Sequence, residues 1–265
     1  MTKRSNPVVK GGNHTIMARL NSFLKIQGSL EGFTFYRRNG KIFIRRKGGV
    51  SRERLLSEPK FRRARENMRE FGRASHFSKS LRWALNPLIA GIKDGSMYHR
   101  LSSVIRKGMH ADTNNEKGQR TLDRDNIACL EGFEFNKNSS TQSTLIYRPF
   151  CEFNTSTGMY SIRIKSVEGT LFKKFPSGCT HAKISAGLLE WDMRKDGSRL
   201  ELINPVTIDV RDYSLTECKL SAEYPSSNAP VCVVLVIRFY QQINGGNYEL
   251  LDRKFCAGSI LRIFC

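Results

Sequence analysis

The side chains best suited to chemistry in this sequence are aromatic and cationic ones that alternate within residues 33–46. The segment reads Phe-Thr-Phe-Tyr-Arg-Arg-Asn-Gly-Lys-Ile-Phe-Ile-Arg-Arg. Asn39-Gly40 is the preferred pair for a two-residue type I′ turn, so the pattern predicts a β-hairpin. With that loop, the facing pairs are Arg38 with Lys41, Tyr36 with Phe43, and Thr34 with Arg45.

One face of this hairpin combines two aromatic rings with three cations. It carries Tyr36, Arg38, Lys41, Phe43 and Arg45. Such rings stack on nucleic-acid bases while cations neutralise phosphates, so this face is a candidate nucleic-acid-binding site. The alternative is a cross-strand aromatic pair shielded by long basic side chains, which ordinary sheets also contain.

A second candidate is a stripe of arginines on the helix predicted after the hairpin. The stripe consists of Arg65, Arg69 and Arg73. Pro59 suits the first turn of that helix, with Ser57 as its cap. An apolar stripe on the same helix, expected to be buried, consists of Phe61, Ala64, Met68 and Phe71. Glu66 and Glu70 lie beside the arginines and favour a solvated, locally paired face over a nucleic-acid contact.

The opposite face of the hairpin is apolar. Its side chains are Phe33, Phe35, Ile42 and Ile44, flanked by Arg37 and Arg46. Two further helices are predicted, one over residues 81–92 with a break at Pro87 and one over residues 97–109. We expect the three helices to form a small cluster that packs on this apolar face.

The sequence contains no recognisable catalytic or cofactor motif. It has no glycine-rich phosphate loop, HExxH or GxSxG, and its five histidines are scattered. Cys179 and His181 could belong to a metal site, but two ligands without a second pair are weak evidence for zinc. We therefore expect a protein that is not an enzyme and that uses no metal or cofactor.

Cysteine usage and hydropathy indicate the compartment. The seven cysteines form no CxxC pair, and several lie in apolar, strand-like runs, which favours reduced, structural thiols. The longest apolar run, residues 231–237, is far shorter than the roughly 18 residues of a membrane span. No apolar segment follows the basic N-terminus as it would in a secretory signal. We expect a cytoplasmic protein with no membrane partner.

The positive charge is concentrated in one half of the chain. The net charge is +20, and residues 1–127 hold 28 Lys+Arg against 10 Asp+Glu, whereas residues 128–265 hold 16 against 14. Such asymmetry points to DNA, RNA or another polyanion as the partner of the basic half. The alternative is a solvated surface that only keeps the protein soluble.

The chain is predicted to have four segments. Residues 1–16 form a flexible basic extension, 17–110 a basic hairpin and helical module, and 111–127 a polar, aperiodic linker. Short alternating strands separated by turn residues predict an antiparallel β-sandwich over 128–265. The expected fold class is therefore α+β.

Several stretches resemble a family of uncharacterised bacterial proteins, mainly of Bacteroidota. They are MARLNSFLKIQGSLEGFTFY at 17–36, RRKGGVS at 45–51, REN at 65–67 with EFG at 70–72, FPSGCTH at 175–181 and VIRFYQQING at 236–245. The resemblance implies the same two-part organisation and supplies neither an activity nor catalytic residues. Family members begin where Met17 stands, which makes residues 1–16 either an extension or the result of an upstream start.

Two hypotheses follow for the function. The first is a non-catalytic nucleic-acid- or polyanion-binding protein that uses its basic N-terminal half, while the sandwich contacts other proteins or a second copy. The alternative is a structural component of a larger phage-like, mobile-element or ribosome-associated assembly. In that case the sandwich would serve for packing or display, and fold class alone does not separate the two.

Overall fold

The computed structural model describes residues 17–19, 27–46, 48–193, 197–224, 229–250 and 255–265. The extension predicted at residues 1–16 lies outside these ranges. The chain divides into two compact units, Met1–Arg62 and Arg63–Cys265. Strands form antiparallel sheets in both units, and helices lie mainly in the second, so the predicted α+β class is confirmed.

The N-terminal unit contains a four-stranded antiparallel sheet. Its strands are β1 (Met17–Arg19), β2 (Gly28–Leu30), β3 (Phe33–Arg38) and β4 (Lys41–Arg46), in the order β1-β4-β3-β2. The predicted hairpin is confirmed as β3–β4, and both turn residues have the positive φ that a type I′ turn requires, 49° at Asn39 and 76° at Gly40. After the sheet come a short helix α1 (Arg52–Ser57) and a 3₁₀ turn (Pro59–Phe61).

The apolar face of this sheet is not buried, contrary to the prediction. Leu30 is 62% exposed and Phe33 is 45% exposed, while Phe35, Ile42 and Ile44 are half-buried. The helices that were expected to cover the face bury their apolar residues against a different sheet, in the second unit. Alternation in a strand identifies an apolar face, but it does not say which element covers it.

The second unit begins with a helical region. Helix α2 (Arg62–Ala84) is followed by α3 (Asn86–Ile89) and α4 (Met97–His110). The predicted break is confirmed, because α2 ends before Pro87 and Pro87 lies in the first turn of α3. Ser57 does not cap the long helix: its hydroxyl donates to the Glu53 carbonyl oxygen within α1. A 3₁₀ turn (Ile127–Leu130) and a short helix α5 (Thr141–Thr144) lead into the strands.

Eight strands of the second unit form two antiparallel sheets. They are β5 (Phe150–Asn154), β6 (Met159–Lys165), β7 (His181–Asp192), β8 (Gly197–Asp209), β9 (Glu217–Glu223), β10 (Val231–Ile243), β11 (Gly246–Glu249) and β12 (Ala257–Phe264). The larger sheet has the order β11-β10-β7-β8 with β12 also paired to β10, and the smaller sheet has the order β5-β6-β9.

Strand β10 lies between two hydrophobic cores. Val231, Val233 and Leu235 point into the core between the two sheets, as a sandwich requires. The alternate residues Cys232 and Val234 point into a second core, shared with α2, α3 and α4. Both faces of β10 are buried, which explains its continuous apolar sequence. The unit therefore has three layers: helices, the larger sheet and the smaller sheet.

Residues 111–127 differ from the predicted linker. Asp112, Leu122 and Ile127 are buried, and the Gly118 N–H donates to the Glu70 carboxylate on α2 at 2.7 Å. The segment is ordered although it is polar, because its polar groups make hydrogen bonds with each other and with α2. The helices and the strands after residue 127 thus share one compact unit, and the boundary between units lies at Arg62–Arg63 instead.

Candidate nucleic-acid interface

The predicted pairing across the hairpin is observed residue for residue. Arg38 faces Lys41, Tyr36 faces Phe43 and Thr34 faces Arg45. The Tyr36 and Phe43 rings are stacked, with centroids 5.8 Å apart and ring planes inclined by 23°. The structure therefore brings the two aromatic candidates together at the centre of one face.

Cations surround the aromatic pair. The Arg45 guanidinium carbon lies 5.6 Å from the centroid of the Tyr36 ring, a cation–π contact. Arg38, Lys41 and Arg45 are all exposed. Among the described residues, no carboxylate lies within ion-pair distance of these three cations. All five hairpin residues predicted for the site thus lie on one face, with the three cations exposed and the two rings half-buried.

The structure adds two flanking strands that the sequence pattern does not reveal. Strand β1 pairs with β4 so that Arg19 lies opposite Phe43, and β2 pairs with β3 so that Ser29 lies opposite Thr34. The Ser29 and Thr34 hydroxyl oxygens are 3.2 Å apart, within hydrogen-bond distance. Strands of three residues have too few positions for a recognisable alternation, so only the pairing with the hairpin identifies them.

The arginine stripe on α2 does not form a single surface. Arg69 is exposed and Arg65 is half-buried, whereas the Arg73 guanidinium donates to the Gly118 carbonyl oxygen. Arg73 therefore holds the segment 111–127 against α2, and its guanidinium is engaged there instead of forming part of a nucleic-acid contact. Arg65 and Arg69 stay candidates for a separate contact on the second unit.

The buried side of α2 is not the predicted one. Met68 and Phe71, expected to be buried, are each 54% exposed. Glu66 and Glu70 are buried in their place, together with Phe77 and others of the core. Glu66 pairs with Arg63 at 2.9 Å, and Glu70 lies 3.6 Å from the His110 ring nitrogen Nε2. The two carboxylates thus lie on the buried side of α2, so the solvent-facing side of this helix is richer in cations.

No metal site was found among the described residues. No group of three or more His, Cys, Asp or Glu side chains there could hold an ion. Cys179 is buried, and its thiol donates a hydrogen bond to the backbone carbonyl oxygen of His181 at 3.4 Å. The Cys179 thiol, suggested by the sequence as a metal ligand, therefore bonds to the backbone. All seven cysteines are free thiols, and burial raises the pKa of Cys151 and Cys232 to about 12, which keeps them protonated and unreactive.

The polar side chains that line one cavity of about 650 Å³ mostly make hydrogen bonds to other parts of the protein. This cavity lies beside α4 and is lined in part by Arg100, Glu131 and Glu134. Arg100 donates to the Glu134 carbonyl oxygen at 2.8 Å and to the Asp94 carboxylate at 2.7 Å. The Glu131 carboxylate accepts from the Ile263 N–H, and that of Glu134 from Thr141. Hydrogen bonds of this kind fix loops and do not identify a reaction.

Comparison with known proteins adds no assignment. No family model matches the chain, and no curated protein or solved structure is significantly similar to it. The resemblance to a Bacteroidota family stays a prediction. No helix in the described part of the chain has the length and apolar character needed to cross a membrane.

Proposed function

We propose that the protein is a non-catalytic nucleic-acid-binding protein and that the polar face of the N-terminal sheet is its contact surface. The observation that carries the proposal is the clustering of Arg38, Lys41 and Arg45 around the stacked Tyr36–Phe43 pair. Rings and cations in this arrangement complement the bases and phosphates of DNA or RNA.

The charge of the N-terminal unit supports a polyanionic partner. Residues 1–62 hold 15 Lys+Arg and only 3 Asp+Glu. A unit with this excess repels itself, and a bound polyanion relieves the repulsion. The second unit carries most of the acidic residues. We place the activity in the cytoplasm, in keeping with seven free thiols.

The proposal is tested through the salt dependence of binding. Replacing Arg38, Lys41 and Arg45 together with Gln removes three cations from the face. Binding of a labelled oligonucleotide, followed by fluorescence anisotropy between about 50 and 200 mM salt, should then show a slope of log affinity against log salt reduced by about 2 to 3. Fewer counterions are released when fewer phosphates are neutralised.

A matched control removes the same charge elsewhere. Lys165, Lys174 and Lys219 are exposed on the second unit, and their joint replacement with Gln should leave the slope nearly unchanged. A further variant, Arg65→Gln with Arg69→Gln, tests α2. If the α2 variant loses binding while the hairpin variant keeps it, the hairpin assignment is wrong. If the unaltered protein binds no oligonucleotide even at low salt, the proposal fails altogether.

A specific observation favours the assembly role as a second candidate function. On the apolar face of the N-terminal sheet, Leu30 and Phe33 are exposed and Phe35, Ile42 and Ile44 are only half-buried. Large exposed apolar patches are typical of protein contact surfaces. A defined homo-oligomer in the absence of nucleic acid, detected by light scattering and lost on Phe33→Ser, would support that role. A monomer at all concentrations would count against it.

A further inference from the structure

We infer that the polar face of the N-terminal sheet binds single-stranded nucleic acid, DNA or RNA, in preference to a duplex. The inference rests on the proposed function and names the form of nucleic acid that this face fits. It is carried by the width of the sheet at the aromatic pair and by the position of the cations around that pair.

The sheet is too wide at its centre to enter a groove. A two-stranded ribbon fits the major groove of DNA, which is about 12 Å wide. Strand β1 lies beside β4 at Phe43, and at the next row, Thr34 and Arg45, strands flank the hairpin on both sides. Four strands spaced about 4.8 Å apart span about 14 Å before any side chain is added. The aromatic pair and Arg45 therefore lie on a broad surface that a groove does not admit.

The described parts of the flanking strands do not reach the turn end of the hairpin. Within the described ranges, β1 pairs with β4 as far as Phe43, β2 pairs with β3 as far as Phe35, and the last pair of the hairpin is Arg38 with Lys41. A duplex can meet this end through its phosphates, but it hides the faces of its bases from the two rings. Contact with a duplex would therefore use the cations and leave the aromatic pair without a role.

Unpaired bases use both parts of the face. Their ring faces are open and stack on aromatic side chains whatever the base, while cations beside the stack hold the phosphates. The Tyr36 and Phe43 rings are 5.8 Å apart, less than the roughly 7 Å that a base inserted between them at normal contact distances needs. Bases therefore stack on the outside of the pair and not between the two rings.

The test compares single strands with the matching duplex. Probes are labelled DNA and RNA strands of about 12 nucleotides and the DNA strand annealed to its complement. The full chain should bind both single strands at least about tenfold more tightly than the duplex. Tyr36→Leu and Phe43→Leu should each weaken single-strand binding by roughly 5- to 100-fold and change duplex binding less than about twofold.

Ring-retaining variants separate stacking from folding. Tyr36→Phe and Phe43→Tyr keep an aromatic ring at each position, and both should bind single strands nearly as well as the unaltered protein. If the ring-retaining variants lose as much affinity as the Leu variants, stacking is not the cause and the inference is wrong. A Leu variant that weakens duplex and single-strand binding equally also overturns it.

The outcomes also separate this inference from the proposed function. If the triple Gln variant of Arg38, Lys41 and Arg45 flattens the salt slope but the Leu variants bind normally, the basic face binds nucleic acid without using its rings. The proposed function then stands, and the preference for unpaired bases is overturned. If no probe binds, both are overturned together.

Discussion

Gly118 lets the segment 111–127 lie against helix α2, because it has no side chain. Its N–H donates to Glu70 and its carbonyl oxygen accepts from Arg73, both on α2. Its φ is +89°, and a Cβ built on it would lie 2.7 Å from Cγ and 2.9 Å from Cβ of Glu66. At Gly118 the backbone of the segment 111–127 thus lies directly against the helix. A side chain at this position would overlap Glu66.

Replacing Gly118 with Ala should lower the free energy of unfolding by about 2–4 kcal/mol, because it adds a steric overlap to an unfavourable backbone conformation. Chemical denaturation measures the change. Gly245 is the matched control: its φ is also positive, at +78°, but nothing lies within 4 Å of its added Cβ. Gly245→Ala should cost only about 1 kcal/mol. Equal losses in the two variants would mean that the contact with Glu66 is unimportant.

For single residues, the sequence spacing predicts which side chains share an element, but it does not predict what those side chains contact. The interval of four correctly places Arg65, Arg69 and Arg73 on one helix, and the turn residues Asn39-Gly40 correctly set the hairpin pairing. What a long side chain contacts depends on elements remote in sequence. Arg73 reaches a carbonyl group 45 residues away, and no local pattern predicts that.

Among the elements, the segment 111–127 shows why a polar composition does not by itself indicate a linker. The buried Asp112 carboxylate accepts hydrogen bonds from the N–H groups of Asn114, Asn115 and Thr121 and from the Asn115 side-chain amide. These bonds turn the chain back on itself. A loop can therefore be ordered without an apolar face when a buried carboxylate satisfies its backbone.

This arrangement predicts how stability depends on pH. Burial by itself would raise the pKa of Asp112, but the hydrogen bonds from Thr121, Asn114 and Asn115 outweigh it, so the pKa is lowered. The stabilisation is then present above the unfolded-state pKa of about 4 and is lost as the pH falls through the lowered folded value. Asp112→Asn should lower the free energy of unfolding at pH 7 by about 2–4 kcal/mol and weaken its decline below about pH 4.

Denaturation curves at pH 7 and at several values below pH 4 measure both effects. Asp94, whose pKa is also lowered, should preserve part of the decline in acid. Asp212→Asn is the control, because Asp212 makes similar bonds to Ser214 in an exposed turn. That variant should leave stability at pH 7 nearly unchanged. A decline in acid as steep in Asp112→Asn as in the unaltered protein would show that this carboxylate is not responsible.

The helix α2 was predicted in type but not in orientation. Its sequence offers two stripes at helical spacing, one apolar with Met68 and Phe71 and one with Glu66 and Glu70. The apolar stripe was the natural choice for burial. The structure buries the glutamates because Gly118, Arg63 and His110 surround them. The β3–β4 hairpin was easier to predict, since its turn and alternation are local properties, whereas β1 and β2 are too short to show either.

For the whole molecule, the shared core predicts which fragments fold. The fragment 63–265 retains all three layers of the second unit and should unfold cooperatively, with mixed helix and strand in its circular dichroism spectrum. The fragment 128–265 lacks α2, α3 and α4, which leaves the helix-facing side of β10, with Cys232 and Val234, in water. It should be insoluble or lack a cooperative transition.

Thermal unfolding and analytical gel filtration distinguish these outcomes. The fragment 63–265 should also have lost most of the nucleic-acid affinity, because the basic sheet is missing. A stable, soluble 128–265 fragment would restore the division at residues 111–127 that composition alone suggests. An unfolded 63–265 fragment would mean that the N-terminal unit contributes to the stability of the second.

The central position of β10 has a consequence for the order in which the protein folds during synthesis. Both cores need residues 231–237, and α4 ends at His110, more than a hundred residues earlier. At about 5–20 residues per second, a ribosome separates these two events by roughly 6–24 s. Until β10 is synthesised, its side chains Cys232 and Val234 are missing from the core that covers the helices, and among the buried strand residues of that core only Leu189 and Trp191 of β7 can begin to cover them. The β3–β4 hairpin, by contrast, is local and forms within microseconds of its emergence.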